Sequence, residues 1–219
     1  MYREMTKELE SDLNKEVLRT ISLIFSDAVK VYESLIENES DIFSGDYFKS
    51  IKGKLLGFII NRAFDSKLLP SNLPFKAELI KLKFSQNTPK LVLQNTILTI
   101  SKVMNLSTLP NKSKYKLEYA RGNDLIENQI KIDLKGLVNE RSPYFNELPY
   151  YGIIAYEYKD YLKSLNILIP DSDFKNIIKT INIPIVCAEE NNGEDNKPIL
   201  DINSLKESIS NNIKLKEIK

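Results

Sequence analysis

Residues 152–158 read Gly-Ile-Ile-Ala-Tyr-Glu-Tyr, and residues 165–169 read Leu-Asn-Ile-Leu-Ile, with Pro170 directly after them. Both runs are apolar and rich in β-branched or aromatic residues, which are favoured in strands. Pro170 has no backbone N–H group and so closes the second run. The two runs therefore predict successive β-strands, and they are the clearest strand signals in the chain.

Further strands are predicted on both sides of this pair. Residues 79–84 and 91–103 carry β-branched residues in partial alternation, and the polar, proline-containing segment 85–89 between them predicts a hairpin turn. The alternation slips near Asn95 and Thr96, which predicts a bulge or a strand break. Residues 115–119 (YKLEY) and 183–187 (IPIVC) are also predicted strands, whereas 126–134 fits either a strand or a helix.

The N-terminal part of the chain has helical periodicity. Residues 6–37 contain no Pro or Gly, and apolar side chains recur there every three or four positions: Leu13, Val17, Ile21, Ile24, Ala28, Val31 and Leu35. A second helix is predicted from Asp46, as N-cap, to Phe64 or Leu68. Its predicted buried face consists of Phe48, Ile51, Leu55, Ile59 and Ala63. The short connection between the two helices predicts an antiparallel hairpin.

Two short helices are predicted after the strands. The first begins at Asp171 or Ser172 and carries Phe174, Ile177, Ile178 and Ile181 at helical spacing. The second begins at Ser204, because Ser204 and Glu207 fit a capping box. Between them, residues 189–197 are acidic and polar and predict a loop.

The order of these elements predicts the fold class α+β: an N-terminal antiparallel helical hairpin, then a mostly antiparallel β-sheet, then short C-terminal helices. The length of 219 residues suits a single domain over 1–219. Within it we expect a helical part (1–69), a mainly β part (70–188) and an acidic loop with a C-terminal helix (189–219).

Composition restricts the chemistry that the chain can perform. It has no histidine and one cysteine, Cys187, in an apolar context, which excludes His-dependent catalysis, intramolecular disulfides and Cys-rich zinc sites. The net charge is +1, from 31 basic and 30 acidic residues, and offers no global attraction to nucleic acid. The N-terminus is charged, and no apolar run approaches a membrane span, so we expect a cytoplasmic protein without membrane contact.

Glu157 and Lys159 form the sharpest catalytic candidate. Metal-dependent nucleases of the PD-(D/E)xK type place an acid and a lysine two residues apart on one strand, where both side chains share a face. Magnesium or manganese would need a second carboxylate, for which Asp133 or Glu147 is the upstream choice. The alternative is that Glu157 and Lys159 simply lead into a solvated turn.

Two binding surfaces are also candidates. Lys114, Lys116 and Arg121 lie in a basic stretch with tyrosines and would face phosphates if this stretch were an exposed strand. A tyrosine cluster that includes Tyr150, Tyr151, Tyr156 and Tyr158 would suit a recognition surface, because tyrosine gives large contact area at small entropic cost. Both groups would equally suit a sheet with one buried face.

The eliminations favour a non-catalytic binding or regulatory protein that acts through a protein partner or self-association and needs no cofactor. The alternatives are a magnesium- or manganese-dependent nuclease or phosphodiesterase using Glu157, Lys159 and Asp133, and a nucleic-acid-binding protein using Lys114, Lys116 and Arg121. No glycine-rich phosphate loop or nucleophile elbow occurs in the sequence.

Overall fold

The first two helices are separated by a side-chain cap. The computed structural model describes residues 2–43, 46–82, 87–124, 126, 148–185 and 199–217, and its chain begins with α1 (Tyr2–Asp12) and α2 (Lys15–Asn38). Asn14 Oδ1 accepts the N–H groups of Glu16 and Val17 at 3.0 and 3.1 Å, which caps α2. The prediction of one unbroken helix over 6–37 is therefore wrong at this point.

The helical hairpin is confirmed. After the short α3 (Ser40–Phe43), α4 spans Asp46–Ala63, as its sequence pattern predicts. The ring of Phe25, in the first half of α2, lies 5.5 Å from that of Phe64, directly after the end of α4. This contact joins the first half of α2 to the end of α4, as expected for two antiparallel helices.

Within the described residues, six strands form one sheet in sequence order. They are β1 (Lys76–Lys81), β2 (Asn87–Val92), β3 (Thr96–Lys102), β4 (Tyr150–Tyr158), β5 (Leu162–Pro170) and β6 (Ile177–Asn182). The pairs β2–β3, β4–β5 and β5–β6 are antiparallel, and β3–β4 is parallel. The predicted α+β class with a mostly antiparallel sheet is confirmed, and the slip near Asn95 is a turn between β2 and β3.

The segment 115–119 is a helix and not the predicted strand. It lies in α5 (Lys114–Ala120), which a 3₁₀ turn (Arg121–Asn123) follows. Alternation over five residues cannot distinguish the two structures, because a helix also buries residues four apart, here Lys116 and Ala120. The parallel pair β3–β4 needs a crossover connection, and α5 belongs to it.

The predicted helix over 171–181 is also wrong. Residues 177–182 form β6, and a side-chain-supported turn precedes it. The carboxylate of Asp171 accepts the N–H of Lys175 at 2.5 Å and the Nδ2 of Asn176 at 2.8 Å, while Phe174 adopts a positive φ of 56°. Phe174 at positive φ cannot continue a right-handed helix, and β6 begins three residues later.

The C-terminal helix α6 spans Ile202–Glu217 and begins before the predicted Ser204. Its cap is Asp201, whose Oδ1 accepts the N–H groups of Asn203 and Ser204 at 3.0 and 3.3 Å. Residues 183–185 have no regular structure, which contradicts that part of the predicted strand. Segment 127–134, the rest of the strand 183–187 and the acidic loop 189–197 lie outside the described residues.

The chain divides into two compact units. The first consists of Met1–Leu18 and Lys90–Ile183, with a core that includes Tyr151, Ile153 and Leu168. The second consists of Arg19–Pro89 and Pro184–Lys219, with a core that includes Phe25, Ile59 and Phe64. Both units are discontinuous in sequence. The single domain over 1–219 and its three consecutive parts stay a prediction.

Asn123 completes the ladder between β4 and β5 where Pro170 cannot. The register of Ile153 with Leu168, continued by two residues, places Tyr151 opposite Pro170, which has no N–H to donate. The side chain of Asn123 substitutes for it: Nδ2 donates to the carbonyl oxygens of Tyr151 and Pro170 at 2.9 and 2.8 Å. Its Oδ1 accepts the N–H of Tyr151 at 2.8 Å.

We expect Asn123→Ala to lower the free energy of unfolding by about 3 kcal/mol or more, because it leaves buried N–H and C=O groups without partners. Asn111→Ala, at an exposed position of the same unit, should change it by less than about 0.5 kcal/mol. Urea denaturation followed by circular dichroism measures both. Equal effects of the two substitutions would show that the Asn123 bridge does not stabilise the fold.

Candidate functional site

Glu157 lies near the end of β4 and is already paired. Its Oε1 accepts a hydrogen bond from Lys163 Nζ at 2.9 Å, and this hydrogen bond and the charge of Glu157 raise the pKa of Lys163. The β4–β5 register shifts between Glu157 and Tyr158, and Lys159 lies in the turn beyond the strand. The strand geometry that would put Glu157 and Lys159 on one face therefore does not extend to Lys159.

A metal centre at this position would need further ligands. Asp133 and Glu147 lie outside the described residues. Within the described part of the chain, no group of three or more acidic or cysteine side chains could hold a metal ion. The metal-dependent nuclease or phosphodiesterase, with magnesium or manganese, stays a prediction.

The four tyrosines of the predicted recognition surface lie in the interior. Tyr150, Tyr151, Tyr156 and Tyr158 are 6, 0, 2 and 8% exposed. Tyr151 Oη lies 2.6 Å from Thr99 Oγ1, and Tyr150 Oη donates to a carboxylate oxygen of Glu8 at 3.2 Å. Burial raises the pKa of Tyr150, Tyr151 and Tyr156. These side chains build the core around β4 and present no exposed contact surface.

The three basic residues of the predicted phosphate row do not form a row. Lys114 and Arg121 are exposed, and Lys114 Nζ lies 3.9 Å from a carboxylate oxygen of Glu118. Lys116 points the other way, into the protein, as the helical geometry of α5 requires. The expectation that Lys114 and Lys116 share an exposed strand face is therefore wrong, and nucleic-acid binding stays a prediction.

Lys116 instead occupies a buried polar site between α5 and β3. The residue is 7% exposed, and its Nζ donates to Ser101 Oγ at 3.1 Å and to the carbonyl oxygen of Asn111 at 3.2 Å. Both acceptors are uncharged, and burial lowers the pKa of Lys116 to about 8. The sequence pattern missed this site because Lys116 is buried only if the segment is a helix.

The outer face of α4 exposes large apolar side chains. Ile51 and Phe58 are 47 and 42% exposed, and half-buried Leu55 lies between them on the same helical face. The prediction that Ile51 belongs to the buried face of this helix is wrong. Phe48, Ile59 and Ala63 are buried, as predicted. We call the row Ile51, Leu55 and Phe58 the α4 stripe.

Comparison with protein-family models, with curated proteins and with solved structures gives no significant match to this chain. In the described residues, no helix combines the length and the apolarity needed to cross a membrane. Two local features, the α4 stripe and the Lys116 site, are the candidate functional sites in the described residues.

We expect the free energy of unfolding of the protein to depend on pH through the titration of Lys116. Its pKa falls from 10.5 in the unfolded chain to about 8 in the folded protein. The unfolded state therefore binds more protons than the folded state between these two pH values. The destabilisation of the folded state by the buried ammonium of Lys116 is present in full below pH 8 and disappears as pH rises to 10.5. Lys116→Gln removes the titration.

The free energy of unfolding of Lys116→Gln relative to the original protein should fall by on the order of 3 kcal/mol between pH 7 and pH 11. Buried tyrosines titrate in both proteins, so their contribution cancels in the difference. Lys114→Gln, at an exposed position of the same helix, is the control and should show no such trend. A constant difference for Lys116→Gln over this pH range would contradict the assignment.

Proposed function

We propose that this protein binds a protein partner through the α4 stripe, in a binding or regulatory role. The observation that supports the proposal is the exposure of Ile51 and Phe58 on one face of the same helix. Contiguous apolar side chains at a surface are a frequent mark of a protein interface. Burial of an isoleucine and a phenylalanine in an interface stabilises it by roughly 1.5–3 kcal/mol for each side chain.

The charge around the stripe selects the kind of partner. At 100° per residue, Lys54 and Lys52 lie on opposite sides of the row Ile51, Leu55 and Phe58. The whole helix has four basic residues and one acidic residue, Asp46. A partner with an apolar surface and an acidic rim would therefore complement the stripe in both apolarity and charge.

A second copy of the chain fits this surface less well. In a two-fold symmetric dimer the same surface would contact itself, which brings the two lysine rims towards each other. Repulsion between like charges at an interface costs free energy and disfavours such a pairing. We therefore assign the stripe to a different protein, one whose contact segment is an acidic amphipathic helix or a comparable surface.

The two faces of α4 should respond differently to a charged side chain. Phe58→Glu should leave the free energy of unfolding within about 1 kcal/mol of the original value, because the side chain already contacts water. Ile59→Glu should unfold the protein, because Ile59 is fully buried and a carboxylate there has no charged partner. Thermal denaturation measures both variants. Unfolding by Phe58→Glu would show that the stripe is part of the core.

Photo-crosslinking from the stripe tests the partner. We expect Phe58→p-benzoylphenylalanine to give one discrete protein adduct in the native cell, identified by mass spectrometry, with an acidic surface segment at the crosslink. The adduct should disappear when Ile51→Glu is added. The same crosslinker at Asn38, an exposed position at the end of α2, is the control and should not capture that protein.

Three outcomes would overturn the proposal. The first is the absence of a discrete adduct, and the second is an adduct between two copies of this chain, supported by sedimentation velocity. The third is binding of the purified protein to anionic lipid vesicles that Ile51→Glu abolishes, which would assign the basic, apolar helix face to a membrane surface.

A further inference from the structure

Ser101 and Lys116 have the geometry of a nucleophile and its base. Ser101 lies near the end of β3 and is partly exposed, whereas Lys116 reaches it from α5 and is buried. The Oγ to Nζ distance is 3.1 Å, within the range expected between a hydroxyl nucleophile and the group that takes its proton. Lysine serves as this base in Ser-Lys enzymes, which need no histidine.

We propose that Ser101 and Lys116 form a catalytic dyad for acyl transfer, with an ester or amide carbonyl as the reacting group. The proposal is independent of the α4 stripe and adds an enzymatic activity to a binding role.

The surroundings of Lys116 suit a base. A lysine paired with a carboxylate stays protonated and cannot accept a proton, but the hydrogen-bond acceptors of Lys116 Nζ are the hydroxyl of Ser101 and the carbonyl of Asn111. With a pKa of about 8, a fraction of Lys116 is neutral near neutral pH. The neutral amine accepts the Ser101 proton across the same contact through which the ammonium donates to Oγ. The bond to Asn111 fixes the side chain in this position.

A second polar group lies on the same face of the sheet. Ser101 pairs with Ala155, and Ala155 pairs with Asn166, so the three side chains stand in a row across β3, β4 and β5. Neighbouring strands are about 4.8 Å apart, which places Asn166 roughly 10 Å from Ser101. Asn166 Oδ1 is buried and has no hydrogen-bond partner among the described residues. Ala155, which lies between them, is fully buried, so a substrate at Ser101 does not reach Asn166.

The reaction balances without a further reactant except water. Ser101 Oγ bonds to the acyl carbon as its proton passes to Lys116 Nζ, and the bond from the acyl carbon to the leaving group then breaks. The leaving alcohol or amine takes the proton from Lys116 and departs, which leaves an ester on Ser101. Water, deprotonated by the same amine, attacks this ester, releases the carboxylic acid and restores the Ser101 hydroxyl.

A fluorophosphonate probe tests the dyad in the full-length protein at pH 9. We expect one adduct by intact mass, mapped to Ser101 by peptide analysis, and none at that position in Ser101→Ala. Lys116→Gln keeps a hydrogen-bond donor but cannot act as a base, so labelling of Ser101 should slow at least about 100-fold. Ser107→Ala, at an exposed serine in the same unit, should label at the original rate.

The proposal is overturned if the original protein gains no adduct, or if the adduct lies on another residue. It is also overturned if Lys116→Gln labels at the original rate, because Lys116 is then only a structural group. Circular dichroism on each variant establishes that it is folded. Should Lys116→Gln not fold, Lys116→Met provides the same comparison, and the mapping of the adduct to Ser101 stands without either.

Discussion

The fold of the first compact unit depends on the hydrogen bonds of the Asn123 side-chain amide. Pro170 ends β5 opposite Tyr151. Because proline has no N–H group, it cannot donate the ladder hydrogen bond to the carbonyl oxygen of Tyr151. Asn123 supplies that donor, accepts the N–H of Tyr151 in return and holds the carbonyl of Pro170 as well. One side chain thus joins the connection after β3 to two strands, where an unsatisfied backbone group in the core would be costly. The neighbouring Gly122 belongs to the same junction, since a Cβ there would lie 2.0 Å from the carbonyl oxygen of Pro149.

Because the 3₁₀ turn is bonded to β4 and β5 and directly follows α5, it determines where α5 lies on the sheet. Its Tyr119 ring lies 5.6 Å from that of Tyr151, and its Ala120 belongs to the core cluster with Ile97 and Ile153. On a helix held this way, position 116 faces β3, and a long polar side chain there must find oxygen partners inside the protein. Lys116 finds Ser101 and the carbonyl of Asn111. The buried amine is therefore a consequence of how the crossover closes, and its lowered pKa is a consequence of that burial.

Sequence patterns predicted the elements whose periodicity is long or whose composition is extreme. The strands β4 and β5, the helices α2 and α4 and the α+β class are of this kind. The predictions for two short segments, 115–119 and 171–181, were wrong for a common reason. Tyr115–Tyr119 alternates like a strand yet also places two tyrosines four apart on a helix, and Ile177, Ile178 and Ile181 fit either period. Two side chains decide these structures. The Asp171 carboxylate holds a local turn that includes Phe174 at positive φ, and the Asn123 amide reaches β4 from a position 28 residues away in sequence. Neither interaction appears as a periodicity of apolar residues.

The same limit explains why neither candidate site was visible in advance. On α4, the predicted apolar row is right for Ile59 and wrong for Ile51. Apolar residues occur on all sides of this helix, and packing decides which of them face the core. Ser101 and Lys116 are 15 residues apart in sequence, and what brings them together is the fold of the crossover. A chain without histidine can still hold a base near neutral pH, provided that burial lowers the pKa of a lysine and no carboxylate restores it. In such a chain, packing determines which lysine can act as a base. A candidate base can therefore be identified only when the neighbours of each amine and hydroxyl in the folded structure are known.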